Sequence, residues 1–459
     1  MAINALPYEI IDKILNYVMY DNDDFADPIR TLASISRTSR RLHQIAEPAL
    51  YSTFEEFNTR SLIQYLSTII NNPHLAAHTK TYYGAHKPWT FSKYSANVAF
   101  SALKSKHPRL LEIIRENTRR LARAEILFEK LEEGSWDTTT SLTLVHLPNL
   151  QHLHLMIIGF KKWNGFPARA DHEVDNYLDL GGTLLSACHR HKQLSTLTIH
   201  PSRESCRELD LAHLLALLQD LVTLKKLSLR GWDLEFSGFN AKLSIVELEL
   251  LDSTINASSF DSLFRLFPAL EKLRYQHSRA RDYTQRRPLT TSLVHALIQT
   301  KPPLKELYIN STSEDRLLVE GTLDMVKSFS GFESLEVIDV LAFDQWMGVH
   351  FNTLKGSIRP LAELLPSKIK RLVLRRASTW TIKQTIVLLE QKYQFPSLQA
   401  LKMEFAVLVE DRVLLNEIEG ELSLLREACV RHGIDFSGRI YLCPDESEMI
   451  YGPNSDSIG

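Results

Sequence analysis

LKKLSLRGWDLEFSGFNAKLSIVELEL, residues 224–250, carries one six-residue figure at each of its ends. The figure is L-x-x-L-x-L, with Ile standing for Leu at Ile245. Its last two apolar residues are two apart, so on a strand both point to one face and the residues between them to the other. The same figure recurs as LQHLHL (150–155), LSTLTI (194–199), LEKLRY (270–275), LKELYI (304–309), LEVIDV (335–340), IKRLVL (369–374) and LQALKM (398–403). The copies are unevenly spaced, with a long gap after the first and a short one inside the stretch quoted. Between them lie SSFDSLFRLF (258–267), LTTSLVHALIQT (289–300), LAELLP (361–366) and IKQTIVLLEQKY (382–393), whose apolar residues recur at helical spacing, as do those of LDLAHLLALLQDL (209–221). A single strand-and-helix unit cannot bury both its apolar faces. Stacked units share one core, with a parallel sheet on one side and helices on the other. The pattern predicts an irregular α/β solenoid with the parallel sheet on its concave face.

The chain begins differently. LPYEIIDKILNYV (6–18) repeats apolar residues at Leu6, Ile10, Ile14 and Val18, and Ile11 and Leu15 widen the stripe beyond what a surface helix needs for one partner. Pro7 suits a first helical turn, and Glu9 and Asp12 sit near the positive end of the helix dipole. After an acidic break, Asp27 and Pro28 form a second start signal. Ile29, Leu32, Ile35, Leu42 and Ile45 carry the next apolar face. SRTSRR (36–41) is expected to bend between two short helices, and Pro48 to stop the second.

Three features of this stretch resemble the F-box family: the opening Leu6-Pro7-x-Glu9, the Ile/Leu helix after it, and the closing Ser36-x-x-Ser39-Arg40-Arg41 segment. The ending EPALYSTF (47–54) is similar to that of fungal F-box proteins. The resemblance implies a three-helix domain at 1–54 that docks on the Skp adaptor of a cullin-based ubiquitin ligase, through Leu6, Pro7, Ile10, Ile14, Leu32, Ser36 and Arg40. The repeats resemble the leucine-rich repeats of F-box receptors and imply a recognition domain at 55–443, followed by a polar tail at 444–459. They depart from that pattern in lacking a regular Asn after the strand. About fifty residues cannot bury a large core alone, so apolar surface left over for a partner is reasonable at the N-terminal domain.

After the three helices, YSTFEEF (51–57) reads as a strand, SLIQYLSTIINNP (61–73) as an amphipathic helix, and LAAHTKTYYG (75–84) as the strand of a degenerate first repeat. Residues 91–133 are helical in pattern, broken at Pro108. VLLNEIEGELSLLREACVRHGIDF (413–436) reads as a helix closed by Gly433 and followed by a strand. ARADHEVDN (168–176) and the basic SRARDYTQRRP (278–288) read as loops.

The 459 residues are 44% hydrophobic and 24% charged, with a net charge of −2. Neither nucleic acid nor a membrane surface is expected as a partner. No apolar run reaches the ~20 residues of a membrane span. Cys188, Cys206, Cys429 and Cys443 show no CxxC spacing and read as reduced thiols, which suits a cytoplasmic or nuclear protein. His152 and His154 share a strand face, and His146, His189 and His191 lie near them in sequence, but no third ligand follows from the spacing. No metal, cofactor or catalytic residue is expected.

Function is expected instead on the residues flanking the strand leucines. Lys226, Arg230, Glu247, Glu249, Lys272, Arg274, Tyr308 and Arg371 are the candidate contacts to an unidentified protein target. Lys226 and Ser228 are expected on the exposed side of the sheet. The alternating signs on successive strands predict partial pairing between neighbours. The function implied is substrate recognition for a Skp-cullin-F-box ligase; the alternative is an interaction scaffold with no part in ubiquitylation.

Overall fold

The computed structural model describes residues 6–20, 28–56, 59–84, 105, 112, 136–157, 191–201, 214–215, 218–219, 221–234, 236, 242–255, 259–277, 289–310, 329–341 and 360–443. The loops expected at 168–176 and 278–288, the tail 444–459, and nearly all of the helical stretch 91–133 lie outside them. Contacts divide the chain into two units, Met1–Lys225 and Lys226–Gly459.

The first unit opens with α1 (Tyr8–Tyr20), α2 (Pro28–Ser36) and α3 (Arg40–Leu50). Ile11, Leu15, Leu32, Leu42, Ile45 and Ala46 fill the space between the three helices, with Leu6, Ile35, Ala49 and Leu50 at its margin. The bend expected in SRTSRR falls at 37–39. Ser39 caps α3 by accepting a hydrogen bond from the Leu42 N–H at 3.1 Å. Pro48 does not stop this helix, which runs on to Leu50. Proline removes one donor, and the next turn closes without it, through Tyr51 N–H to the Glu47 carbonyl at 3.1 Å.

Next come β1 (Thr53–Glu55), α4 (Thr59–Asn71), α5 (Pro73–Ala76), β2 (Thr81–Tyr83), α6 (Trp136–Val145), β3 (His152–Ile157) and β4 (Thr196–Pro201). The four strands pair parallel in chain order. Helix α6 was not expected from the sequence. It is rich in Thr, and Thr139 to Leu144 are all buried, so it has no polar stripe to betray its period. Phe54 and Tyr82 stand in the first two rows where later rows carry leucine. Phe54 stacks on Tyr65 of α4 at 3.8 Å, and the Tyr82 hydroxyl donates to the buried Glu56 at 2.9 Å.

The second unit contains β5 (Lys226–Arg230), β6 (Asp233–Leu234), β7 (Glu247–Ile255), α7 (Ser259–Leu266), β8 (Lys272–His277), α8 (Leu289–Thr300), β9 (Glu306–Asn310), β10 (Val337–Leu341), α9 (Leu361–Leu364), β11 (Arg371–Arg375), α10 (Thr379–Glu390), β12 (Ala400–Leu408), α11 (Arg412–Arg431) and β13 (Asp435–Cys443). Within this unit all strands except β6 form one parallel sheet in chain order, and β6 pairs with the end of β7. The short gap between copies is thus bridged by a strand rather than by a described helix. Gly231, at φ 77°, turns the chain there, and its N–H donates to the Leu251 carbonyl at 2.7 Å. Trp232 is wholly buried beside it.

In all nine copies of L-x-x-L-x-L the three apolar residues are at most 3% exposed. The rows are in register: Leu227, Leu248, Leu273, Leu307, Ile338, Leu372, Leu401 and Phe436 are successive partners across the second unit. At the start of most strands one carbonyl accepts two consecutive N–H groups from the next row. The Glu271 oxygen takes those of Lys305 and Glu306 at 2.7 and 3.0 Å, and the Lys305 oxygen those of Glu336 and Val337 at 2.8 and 2.9 Å. The same device recurs in the first unit, where the Lys80 oxygen takes the N–H groups of Gln151 and His152. The helices lie on the leucine side. Phe260 of α7 meets Tyr275 of β8 edge-on at 5.9 Å. A capping box at Ser378 and Thr381 starts α10. Gly433, at φ 66°, closes α11.

Candidate protein-interaction surfaces

The first surface lies on α1. Residues three and four apart share a helical face, so Ile10, Ile14 and Tyr17 form one stripe and Ile11 and Leu15 another. The two stripes divide sharply. Ile11 and Leu15 are 1% and 2% exposed, whereas Ile10, Ile14 and Tyr17 are 43%, 40% and 51% exposed. Tyr8 and Ile29, at 52% and 42%, add to the exposed apolar area of this three-helix module. Pro7 and Arg40 are also exposed, and Leu6 is half-buried. The guanidinium of Arg41 donates to the Leu6 carbonyl at 2.7 Å, tying the start of the chain to α3.

Two residues implied by the resemblance sit elsewhere. Leu32 is wholly buried in the three-helix core, so its side chain presents no surface and its role is packing. Ser36 is half-buried and its hydroxyl donates to the Ala33 carbonyl at 2.8 Å, within its own helix. Ile29, read as part of the same apolar face as Leu32, is exposed instead. Tyr17 lay open to prediction from its spacing to Ile10, but its aromatic ring hid it among the ordinary apolar residues of the helix.

The second surface is the sheet face of the second unit that the leucines leave. Its charges interlock. Lys226 Nζ lies 2.7 Å from Glu247 and 2.9 Å from Glu249. Burial of its stem pulls the ammonium pKa down, but the two carboxylates outweigh this and hold it above the ordinary lysine value. Arg230 reaches Asp252 at 3.4 Å, and Lys272 reaches forward to Glu306 at 2.8 Å rather than back to β7. The Tyr308 hydroxyl donates to Glu306 at 3.0 Å. Burial, and then that hydrogen bond, push the phenol up to about 12. Arg274 and Arg371 are exposed.

The most enclosed part of this face was not among the expected contacts. Arg375 on β11 reaches back to Asp339 on β10 and forward to Glu404 on β12, which Lys402 also holds at 2.6 Å. Asp339 and Glu404 are each 7% exposed. The hydrogen bond to Asp339 raises the Arg375 pKa further, so the guanidinium is permanently charged. Ser228, expected at the surface, is 3% exposed. Its short side chain lies low between longer neighbours, beside the Lys226–Glu249 bridge.

His154 on β3 stacks on Tyr83 at 4.3 Å, and burial lowers the His152 pKa. Among the described residues no group of three or more His, Cys, Asp or Glu side chains has the geometry to hold a metal. None of the described helices is long and apolar enough to cross a membrane. Cys429 and Cys443 are buried and carry no disulfide. No family model matches the chain, and no curated protein matches it. A functional reading therefore rests on the motif residues and on these two surfaces.

Proposed function

We propose that the chain is the substrate-recognition subunit of a Skp-cullin-F-box ubiquitin ligase, acting in the cytoplasm or nucleus. In this reading the three helices are an F-box and the strand-helix rows are leucine-rich repeats of uneven length. The observation that carries it is the divided helix α1. Ile11 and Leu15 complete the core, yet Ile10, Ile14 and Tyr17 remain exposed on the motif helix. An apolar stripe that packing inside the module does not need suits an adaptor. The interlocked sheet face suits a protein target, because patterned charge rewards a matching partner and penalises a mismatched one.

Such a subunit makes and breaks no bonds. It holds a target lysine near a ubiquitin-charged enzyme and raises its effective concentration. The test is co-purification with the Skp adaptor, using the full chain and a chain lacking residues 1–50. Loss of the adaptor on truncation is expected, and undiminished capture sinks the assignment. Proteasome-dependent turnover of a bound partner separates a ligase subunit from a scaffold.

A further inference from the structure

The cations on the open face of the second unit fall into two groups. Lys226, Arg230, Lys272, Arg375 and Lys402 each hold a carboxylate at 3.4 Å or less. Arg274 on β8, Arg371 on β11 and Arg439 on β13 are exposed and hold none among the described residues. On the same rows Asp435 is the one carboxylate left without a cation among the described residues. The interlocked groups set five cations against six carboxylates, so the three guanidinium groups are the uncommitted cations of a face whose charges otherwise lean slightly acidic.

Their placement restricts the ligand. Arg274 is the register partner of Tyr308, and the Arg371 charge acts on the same Tyr308 hydroxyl from the far side of β10. That hydroxyl is already given to Glu306, which leaves the ring as an uncharged platform between two cations. Strands β8 and β11 are three spacings apart, about 14 Å at the usual ~4.8 Å. Strands β11 and β13 are two spacings apart, about 10 Å. Sites so far apart cannot converge on one phosphoryl group. Each can take a separate carboxylate in the bidentate manner that guanidinium favours. Arg371 also lies two residues nearer the strand starts than Arg274 and four nearer than Arg439. Each of these two pairs is therefore about 16 Å apart, and with an extended rise of ~3.3 Å per residue carboxylates about five residues apart match the gaps.

We propose that the open face between β8 and β13 binds an acidic, extended segment of a target protein, laid across the strands with its carboxylates on Arg274, Arg371 and Arg439. The word target rests on the receptor reading above; the binding itself does not.

The test uses the full chain and three labelled peptides: an oligoglutamate, an oligoglutamine of equal length, and an oligoglutamine bearing a single phosphoserine. The oligoglutamate is expected to bind about tenfold or more tighter than the oligoglutamine, and to weaken as salt is added. Arg274→Glu with Arg371→Glu should abolish that preference without changing the Tm or adaptor capture. Arg274→Lys with Arg371→Lys should keep part of it, since charge survives and the bidentate fork does not. Equal binding of oligoglutamate and oligoglutamine overturns the proposal. So does a preference that survives the double Glu variant, or tighter binding of the single-phosphate peptide. Loss of adaptor capture with the glutamate preference intact would sink the receptor reading alone.

Discussion

Arg375 grips both oxygens of Asp339 across one strand spacing, with Nε 2.7 Å from Oδ1 and Nη2 2.9 Å from Oδ2. Its remaining nitrogen, Nη1, lies 3.1 Å from Glu404. Removing the guanidinium orphans one nearly buried carboxylate and weakens the hold on another. Arg375→Ala should therefore destabilise the second unit by about 1–3 kcal/mol in urea unfolding. Adding Asp339→Ala should recover part of that loss, because the orphaned charge is then gone. Strict additivity of the two changes would show that the pair is not coupled.

The two stripes of α1 should respond oppositely to substitution. Ile10→Asp with Ile14→Asp should abolish adaptor capture and leave the melting curve nearly in place, since both side chains lie outside the three-helix core. Ile11→Ala or Leu15→Ala should cost about 2–5 kcal/mol through the cavity left behind. Circular dichroism melts run beside the pull-down distinguish the two outcomes. Unfolding by the Asp pair would mean that the exposed stripe has a structural role.

The leucine rows make a sharper stability prediction. Leu227, Leu248, Leu307 and Leu372 are each at most 1% exposed. Changing any of them to Ala should cost about 2–5 kcal/mol. Arg274→Ala, on the opposite face, should stay within about 0.5 kcal/mol. Denaturant midpoints that failed to separate these sets would overturn the strand register.

Tyr308 gives a test by pH. Burial and the Glu306 hydrogen bond push its pKa up to about 12, above the ordinary tyrosine value of 10.0. The raised value means that its contribution to stability is complete below the unfolded value and is lost as pH rises through the folded one. Wild type should therefore lose stability between about pH 10 and 12 by a margin that Tyr308→Phe removes. Phenolate absorbance of the folded protein should show one late-titrating tyrosine missing from the variant. An identical alkaline limb in both would place the Tyr308 hydroxyl in water.

The rows of the array were legible because their signal is local. In LKELYI (304–309) the alternation of Leu307 and Ile309 names the strand, its buried face and its register without knowledge of any neighbour. Helix α6 was not legible, because Thr139, Thr140 and Thr143 are poor helix formers and burial on every side erases the periodicity. Leu32 and Ile29 exchanged their expected roles for a related reason. Both belong to one apolar run, and only the crossing of three helices decides which of them meets the core. The Arg375 cluster joins residues from three separate strands, so no single stretch of sequence displays it. Ser228 was misplaced because its burial depends on the height of adjacent side chains rather than on which face it occupies.

The doubly accepting carbonyl before β9, β10, β11 and β12 has an evolutionary consequence. Glu271, Lys305, Glu336 and Lys370 each fix where the next strand begins by two backbone hydrogen bonds, whatever number of residues intervenes. The strand starts at Lys272, Glu306, Val337, Arg371 and Ala400 are unevenly spaced along the chain, yet their rows align without slippage. Insertions and deletions between strands therefore leave the register intact, because closing a longer loop costs little more than closing a short one. Descendants of such a chain can gain or lose whole connecting segments, and so change what they recognise, while every leucine keeps its partner.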